Sequence, residues 1–359
     1  MSPAKEAWNC RQCGRGGRDG VGLIGFVHDH DMHSRSGFLA ACGEALGRDP
    51  PAGAERETEE HRTARVARVA ERDADIRARA HQPGHNVFRE NAIQKGRNFF
   101  FRSEIEASPE TSIVGRYLAA RTGFVMHAAV FGNLRLAARH GYWADADDRG
   151  NSREVHVGPA MIAPFIDPIG QVTGCHETWI DLSNGPKFRP ALLDAAGVPR
   201  PTKKMQGVKQ GSMIPIFGAL SARRWVGGEG IENVATIAGA EAFRGDTFYF
   251  AAGDIGNLCG PADPDSAFTH PSLKKADRNG VLRSVRVQGP EPKPGVGIAD
   301  AVHIPDHVTE LVILADGDSE PVFTAAAMAR AEKLHAHEGR GIETWWPPAG
   351  GDFADLMTG

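Results

Sequence analysis

Two aspartates follow directly on an apolar run in the segment LVILADGDSEP, which covers residues 311–321. If residues 311–315 form a buried strand, Asp316 and Asp318 lie at its carboxyl end, which is the edge where ligands bind in open α/β sheets. Side chains two residues apart on an extended chain share one face, so both carboxylates point into one crevice. Two carboxylates held together repel each other unless a cation lies between them, and such oxygen ligands suit Mg²⁺ or Mn²⁺. The spacing therefore predicts a divalent metal site.

Further acids occur in two glycine-rich segments. Glu229 lies in the sequence GGEG at residues 227–230, where the flanking glycines permit a tight turn and the close approach of a phosphate. Asp352 and Asp355 follow another predicted strand, in the sequence PPAGGDFADLM. We expect Glu229 to join the aspartate pair at one site; the alternative for each acid is an ordinary surface carboxylate.

Basic side chains cluster upstream of these acids, around Gly207 and Gly211. This basic set comprises Lys187, Arg189, Lys203, Lys204 and Lys209. Such a group forms either a cationic strap for a nucleic-acid backbone or a solvated lysine face. His176, beside Glu177 and Thr178, either contacts phosphate near the acids or is a hydrogen-bonded strand histidine.

Periodicity indicates the elements that must position these residues. A helical pattern covers residues 111–124 and ends at Gly123, and residues 157–180 alternate like a β-hairpin. Apolar strand-like runs near residues 213–220, 245–252 and 310–315 are separated by helical stretches at 231–243 and 322–338. We therefore predict an α/β fold, with a Rossmann-like, mostly parallel sheet flanked by helices and a smaller α+β subdomain before it.

Composition sets the class of protein and its compartment. The chain has 359 residues, 41% of them hydrophobic and 24% charged, and a net charge of −4, so bulk charge does not indicate nucleic-acid binding. It lacks a membrane-length apolar run, and its five cysteines are too irregular for a disulfide framework, which favours a reducing, cytoplasmic location.

Composition shifts also indicate the division of the chain. We predict a small N-terminal module at residues 1–50, a helical linker at 51–110, an α+β subdomain at 111–220 and a catalytic domain at 221–359. The charged stretch at residues 55–81 is read as one exposed helix, either a connector or a DNA-contacting arm. Residues 260–306 form an insertion that carries a hairpin and loops out of the catalytic domain.

The order of the acids resembles that of a known family. A glutamate in a strand-to-helix turn, then Asp-x-Asp after a strand, then a tail rich in Pro, Gly and Asp is similar to the Toprim domain of bacterial-type primases, topoisomerases and related nucleases. Three stretches narrow the likeness to the primase-like Toprim proteins of phages, plasmids and other mobile elements: VGRYLAARTG at 114–123, the strand pair at 159–181, and the Lys-Gly segment at 203–216. Together the resemblance covers roughly residues 110–357.

The resemblance implies roles for the acids. Glu229 would act as general acid or base, and Asp316 and Asp318 would hold Mg²⁺ against a phosphate. Toprim patterns usually place a glycine soon after the second aspartate, whereas this chain continues with Ser319 and Glu320. This departure makes Glu320 a candidate for an additional metal ligand.

The N-terminal cysteines resemble half of a second metal site. Cys10-x-x-Cys13 is similar to the second half of the zinc ribbon at the front of such primases, and a structural Zn²⁺ needs four ligands. Either the ribbon is broken, or His28, His30 and His33 complete an atypical site.

The resemblance implies an enzyme that joins nucleotides on single-stranded DNA. The same acids also suit a Toprim nuclease that cleaves phosphodiesters, and a DNA-binding accessory protein without turnover is a further alternative. No helicase-type Gly-x-x-x-x-Gly-Lys-Ser/Thr loop occurs, so unwinding would require a separate helicase as partner.

Overall fold

The structure is a computed structural model, and it describes residues 8–9, 16–17, 20–32, 34–47, 63, 67, 83–106, 108–146, 152–277, 280–348 and 351–357. The chain forms two compact units, Met1–Ala80 and His81–Gly359. Apart from helical positions at 63 and 67, the predicted exposed helix over 55–81 lies outside the described residues. Among the residues that the structure describes, no helix has both the length and the apolar character needed to cross a membrane.

Within residues 8–47, the described part of the first unit includes a short strand pair followed by two helices. Strand β1 (Trp8–Asn9) pairs antiparallel with β2 (Gly16–Gly17), and helices α1 (Gly20–Val27) and α2 (Arg35–Leu46) follow. Helix α2 begins after Ser34, whose hydroxyl accepts a hydrogen bond from Gly37 N–H at 3.0 Å. It ends at Gly47, which adopts the left-handed conformation that terminates many helices.

The second unit begins with helices α3 (Pro83–Arg102) and α4 (Ile113–Thr122), followed by an antiparallel sheet. Its strands are β3 (Arg135–Ala146), β4 (Ser152–Ile166), β5 (Val172–Trp179) and β6 (Lys203–Gly207), in that spatial order. The β4–β5 pair confirms the predicted hairpin, and Asp167 shapes its turn by accepting hydrogen bonds from Ile169 and Gln171 N–H. Helix α4 ends at Gly123 with φ 75°, as the sequence predicts.

Helix α3 packs closely on strands β5 and β6. A Cβ atom on Gly96 would lie 2.9 Å from the Gln206 carbonyl oxygen and 2.9 Å from Gly174 Cα. Gly174 in turn lies in register with Gly207 of β6, so three glycines meet where the helix crosses the sheet. The sequence placed this segment in a linker, whereas in the structure it covers one face of the antiparallel sheet.

A five-stranded sheet follows, and it carries the candidate acids. Its strands are β7 (Ile214–Phe217), β8 (Arg224–Gly228), β9 (Thr247–Ala251), β12 (Glu310–Leu314) and β13 (Gly341–Trp345). The order is β13-β12-β8-β9-β7, with four strands parallel and β7 antiparallel to β9. Helices α5 (Ile231–Ala240), α6 (Ile255–Cys259), α7 (Pro321–His335) and α8 (Phe353–Leu356) connect or follow the strands. The mixed α/β class is therefore confirmed.

All four parallel strands end at the same edge of this sheet. Leu314 at the end of β12 lies in register with Gly228 of β8 and Trp345 of β13. Gly228 also lies in register with Ala251 of β9. The segments that leave these four positions are consequently brought together, which is the arrangement that places ligands at the carboxyl edge of α/β sheets.

The segment at 260–306 contains the hairpin β10 (Phe268–Ala276) and β11 (Leu282–Val287), which pair antiparallel. Most side chains of both strands are exposed. The returning chain does not loop out entirely, because Val302 and Ile304 are buried in the core. The segment thus forms part of the packed domain as well as an exposed ribbon.

The core is shared between the two sheets. One buried cluster combines Phe165 of β4 with Val226 and Leu314 of the mostly parallel sheet, and a second combines Trp179 of β5 with Trp225 of β8. Packing is therefore continuous across residue 220, where the sequence predicted a boundary between subdomains.

The close contact of α3 gives a test of this packing. We expect Gly96→Ala to lower the free energy of unfolding by about 1–3 kcal/mol, because the added methyl group must displace backbone atoms of β5 and β6. Alanine alone would favour the helix by about 1 kcal/mol, so a loss of stability isolates the steric effect. Gly245→Ala is a control for the loss of a glycine alone, since this turn residue has open space around its Cβ position, with nothing within 4 Å. Urea denaturation of both variants checks the prediction, and equal stability of the two would contradict it.

Candidate metal centre

Strand β12 delivers Asp316 and Asp318 to the carboxyl edge of the sheet. The strand is buried between β8 and β13, and Ala315 N–H still donates to Trp345 O at 2.9 Å. The pairing with β13 stops there, so the next residues leave the sheet with their side chains free to turn toward the crevice. Asp316 is partly buried and Asp318 is exposed.

The position between the two aspartates, residue 317, requires glycine. Its N–H donates a hydrogen bond to Asp352 Oδ1 at 3.1 Å. A Cβ atom at this position would lie 2.2 Å from Gly351 O and 2.5 Å from Pro347 Cγ. Only glycine therefore allows the loop after β13 to lie against the loop after β12.

The contact between these two loops places a third acid beside Asp316 and Asp318. Carboxylate oxygens of Asp316, Asp318 and Asp352 all lie within 4.8 Å of one another. Asp352 is fixed at the start of α8, where its own N–H donates to Asp355 Oδ2 at 3.3 Å. Helix α8 is held against α5 because Ala354 N–H donates to Asn233 Oδ1 at 3.2 Å. We call these three aspartates the acidic centre.

Crowding of like charges changes the acidity of the centre. Burial raises the pKa of Asp316 to about 7, and the negative charges of Asp352, Glu229 and Asp318 contribute to the increase. The Ser319 hydroxyl donates to the Asp316 carboxylate and opposes it. A cation among these oxygens would relieve the repulsion.

Glu229 lies beside the acidic centre but outside the group of mutually close oxygens. It follows β8, and Gly253 N–H donates to its carbonyl oxygen at 2.9 Å. Burial raises the pKa of its carboxyl group; Asp318 and Asp352 add to this rise, whereas Lys203 and Lys209 oppose it. The glutamate of the glycine turn thus shares an electrostatic environment with all three aspartates.

Two other predicted acids have structural partners. Glu320 caps α7, because its Oε2 accepts from Phe323 N–H at 2.9 Å, and its Oε1 lies 2.9 Å from His270 Nε2. Asp355 accepts from Asp352 N–H and lies 3.8 Å from Arg121 Nη1. Neither belongs to the acidic centre, so the position of Glu320 does not support its expected role as a metal ligand.

The basic set is divided by the pleat of β6. Lys203 and Lys204 are adjacent on one strand and so point to opposite faces of the antiparallel sheet. Lys203 faces the acidic side, while Lys204 lies over the Tyr142 ring, with Nζ 3.6 Å from the ring centroid. Lys209 contacts the Asp254 carboxylate and lies near Glu229. Lys187 is exposed.

A buried network links Lys203 and Arg189 to helix α5. Glu232 accepts hydrogen bonds from Tyr117 Oη at 2.7 Å, Arg189 Nη2 at 3.0 Å and Lys203 Nζ at 2.9 Å. Burial alone would raise the pKa of Glu232, but Lys203 and Arg189 hold it well below its usual range. We call these four residues the Glu232 network.

Sequence reasoning missed Glu232. The one available signal was its position in a helix of mostly apolar or small residues, IENVATIAGA. An acid in such a helix is expected to have a partner if it is buried, because a fully buried acid is almost always paired. The partners come from distant segments, which the pattern of the helix does not identify.

His176 lies on the same face as Lys203. It is buried, its Nδ1 lies 3.3 Å from Thr178 Oγ1, and burial together with the charge of Lys203 lowers its pKa to about 3. The imidazole is therefore neutral near pH 7. This corresponds to a hydrogen-bonded strand histidine rather than a cationic phosphate ligand.

In the first unit, Cys10, Cys13 and His33 lie outside the described residues. His28 and His30 both contact Glu44, through His28 Nδ1 at 3.3 Å and His30 Nε2 at 2.9 Å.

Comparison with known proteins identifies one matching family model. Residues 102–216 match a domain of unknown function, DUF7146. The match covers the antiparallel sheet and β7 and does not reach Glu229 or the acidic centre. No curated protein matches this chain.

Several solved structures of primases are similar to this chain. A DNA primase domain from Pseudomonas aeruginosa is 12% identical with a TM-score of 0.39, and the match covers 74% of each chain. A DnaG primase catalytic domain bound to ssDNA is 13% identical with a TM-score of 0.38, covering 74% of this chain and 75% of that one. The zinc-binding and RNA polymerase domains of the Aquifex aeolicus primase are 15% identical with a TM-score of 0.31, covering 99% and 71%.

The pKa of Asp316 predicts how stability depends on pH. An aspartate titrates near 3.9 when unfolded and here near 7 when folded, so without metal the folded state binds more protons between these values. The free energy of unfolding should therefore fall as pH rises from about 4 to about 7. We expect Asp316→Asn to remove this contribution and to stabilise the metal-free protein at pH 8 by about 1–2 kcal/mol, allowing for solvent screening.

Urea denaturation in EDTA at pH 5 and pH 8 measures the effect. Asp265→Asn is the control, since Asp265 is exposed and lies in the insertion. If Asp316→Asn instead destabilises the protein at pH 8, the ionised Asp316 carboxylate does not lower the stability of the folded state.

The Glu232 network gives a second prediction. We expect Glu232→Gln to lower the free energy of unfolding by about 3–5 kcal/mol, because it removes a buried carboxylate and leaves the partly buried Lys203 and Arg189 without one. Adding Lys203→Met to this variant should recover part of the loss, since one unpaired charge is then removed. Chemical denaturation of the wild type, both single variants and the double variant measures this coupling. Additive effects of the two substitutions would contradict it.

Proposed function

We propose that this chain is a primase-like Toprim protein that transfers nucleotides on single-stranded DNA with the help of Mg²⁺ or Mn²⁺. Replication of a mobile element, with a separate helicase to unwind the template, is the proposed setting. The observation that carries the proposal is the meeting of Asp316, Asp318 and Asp352 at one sheet edge, with Glu229 beside them.

The order of strands and acids supports the Toprim assignment. Glu229 follows β8, the Asp-x-Asp pair follows the neighbouring strand β12, and Asp352 comes after β13, the next strand of the sheet. Acids on three adjacent parallel strands can converge because the strands end in register. The same order of acids carried the resemblance found in the sequence.

The acidic centre fits a divalent cation. All three groups offer hard carboxylate oxygens, which Mg²⁺ and Mn²⁺ prefer, and the exposed side of Asp318 leaves room for water or a phosphate oxygen. Burial is the main cause of the raised pKa of Asp316, and the neighbouring negative charges, whose repulsion such an ion would relieve, add to it. A bound ion would neutralise phosphate charge and make an attacking hydroxyl group more acidic.

Glu229 is suited to proton transfer at the reacting oxygens. Its raised pKa is closer to pH 7 than the pKa of an exposed glutamate. Such a pKa suits a group that must both accept and release a proton. In the synthetic direction, it would accept the proton of the primer hydroxyl as that oxygen attacks the α-phosphorus and the bond to the departing pyrophosphate breaks.

Lys203 and Lys209 are placed to stabilise the phosphates. Both act electrostatically on Glu229, so both lie close to the proposed reaction site. Lys203 is held in place by its ion pair with Glu232, and Lys209 by its ion pair with Asp254. Ammonium groups held in place in this way stabilise negative charge without reorganising during the reaction.

A primer-synthesis assay tests the proposal. Purified full chain is incubated with single-stranded template, Mg²⁺ and labelled nucleotides, and product length is followed by gel electrophoresis. We expect the wild type to extend primers and Asp316→Ala to reduce the rate at least 100-fold, because the metal ligand is lost. Asp265→Ala, which removes an exposed carboxylate outside the acidic centre, should retain the wild-type rate.

The other outcomes separate the alternatives. Shortened DNA without extension would replace the proposal with a nuclease. DNA binding that survives Asp316→Ala, with neither product from the wild type, would replace it with an accessory role.

A further inference from the structure

A cavity of about 310 Å³ adjoins the acidic centre. Strand β11 of the insertion hairpin, the first turns of α7 and Ile255 at the start of α6 enclose it. This volume is at the lower end of the range for small-molecule sites, about 300–1,000 Å³. We call it the hairpin pocket.

The hairpin pocket is connected to the acidic centre through one residue. Ser319 lines the pocket, and its hydroxyl donates a hydrogen bond to the Asp316 carboxylate. Asp318 is the preceding residue in the chain. A molecule with a phosphate at the acidic centre can therefore extend its next group into the pocket.

The walls of the pocket are largely apolar and include an aromatic side chain. The apolar residues of this lining are Ile255, Val287, Phe323 and Ala327. Phe323 is fixed in place, because its N–H donates to Glu320 and its ring packs on His270 with centroids 5.6 Å apart. An apolar wall with an aromatic ring suits the faces of a nucleobase, which bind well to aromatic side chains in nucleic-acid proteins.

A buried arginine at the pocket lacks a carboxylate partner among the described residues. Arg330 is only 3% exposed, and it donates to Gly260 O at 3.0 Å, Gly289 O at 2.6 Å and Cys259 Sγ at 2.9 Å. Burial raises the pKa of the Cys259 thiol, which is therefore neutral. Arginine is almost never fully buried unless it is paired. The positive potential of Arg330 consequently favours electronegative atoms inside the pocket.

Two arginines at the pocket can only donate hydrogen bonds. Arg286, with Gln288 directly after β11, joins Arg330 in the lining. Glu320 also lines the pocket, but its carboxylate already accepts from Phe323 N–H and contacts His270. Guanine presents two acceptors on one edge, O6 and N7, whereas adenine presents N7 beside an N6 donor. An arginine-rich pocket therefore distinguishes the two purines.

We propose that the hairpin pocket binds the base of the nucleotide whose phosphate lies at the acidic centre, with a preference for guanine. The location of the phosphate rests on the proposed function, while the recognition of the base rests on the pocket alone. The insertion thereby supplies base selectivity to a centre whose carboxylates would hold the cation and make no contact with the base.

Binding of nucleosides tests the pocket without phosphate, metal or turnover. Guanosine and adenosine are titrated into the full chain in EDTA, and binding is followed by ligand-observed NMR. We expect guanosine to bind at least 5-fold more tightly than adenosine, and 7-deazaguanosine, which lacks N7, to lose most of that advantage. Equal binding of the three nucleosides, or no binding of any, would overturn the proposal.

Two substitutions locate the binding. Arg286→Met and Gln288→Leu replace exposed residues of the hairpin, and each should reduce the guanosine preference at least 3-fold. Arg283→Met is the matched control, since this exposed arginine of the same strand does not line the pocket. An unchanged preference in both pocket variants, or an equal loss in the control, would contradict the assignment.

This design separates the two proposals. Guanosine preference without primer synthesis would leave the pocket assigned and reject the proposed reaction. Primer synthesis without guanosine preference would leave the reaction in place and reject the pocket.

Discussion

Mutual repulsion of carboxylates is the constraint on which the rest of the structure depends. Three aspartates lie with oxygens within 4.8 Å of one another, and burial with crowding raises the pKa of Asp316 to about 7. Without metal, this arrangement is unfavourable, so other interactions must maintain it. The register of β8, β12 and β13, the contact at Gly317 and the anchoring of α8 through Asn233 supply those interactions.

The basic residues show a related balance between burial and charge. Lys203 is held between Glu232, with which it forms an ion pair, and Glu229, whose pKa it lowers. Burial lowers the pKa of Lys203 and Glu232 opposes this effect. Because Glu232 also binds Tyr117 and Arg189, the position of one lysine depends on α4, the segment after β5 and α5 together. The antiparallel sheet thus contributes charge to a site whose acids come from the other sheet.

Local sequence patterns were sufficient for the β4–β5 hairpin, the strands of the mostly parallel sheet, helices α4, α5 and α7, and the pairing of Asp316 with Asp318, because alternation and helix-ending glycines are properties of neighbouring residues. Strand β3 was not predicted. The opposite directions of Lys203 and Lys204 also follow from alternation along a strand, which neither the strap nor the solvated lysine face took into account. Glu232 and Gly96 were missed for a different reason. Their partners are far away in the chain, and Tyr117 and Glu232 are 115 residues apart. Glu320 was misleading because a carboxylate beside an aspartate pair looks like a ligand until the helix that it caps is seen.

The placement of the β10–β11 ribbon has a consequence for how this protein can diversify. The ribbon is inserted between β9 and β12, which are not neighbours in the sheet, so its length and side chains can vary while the strand ends keep their register. Exchanging the ribbon for that of a relative would change the wall beside the aspartates and leave their spacing intact. The proposed base selectivity and the proposed metal chemistry would thereby be encoded in separable parts of one domain.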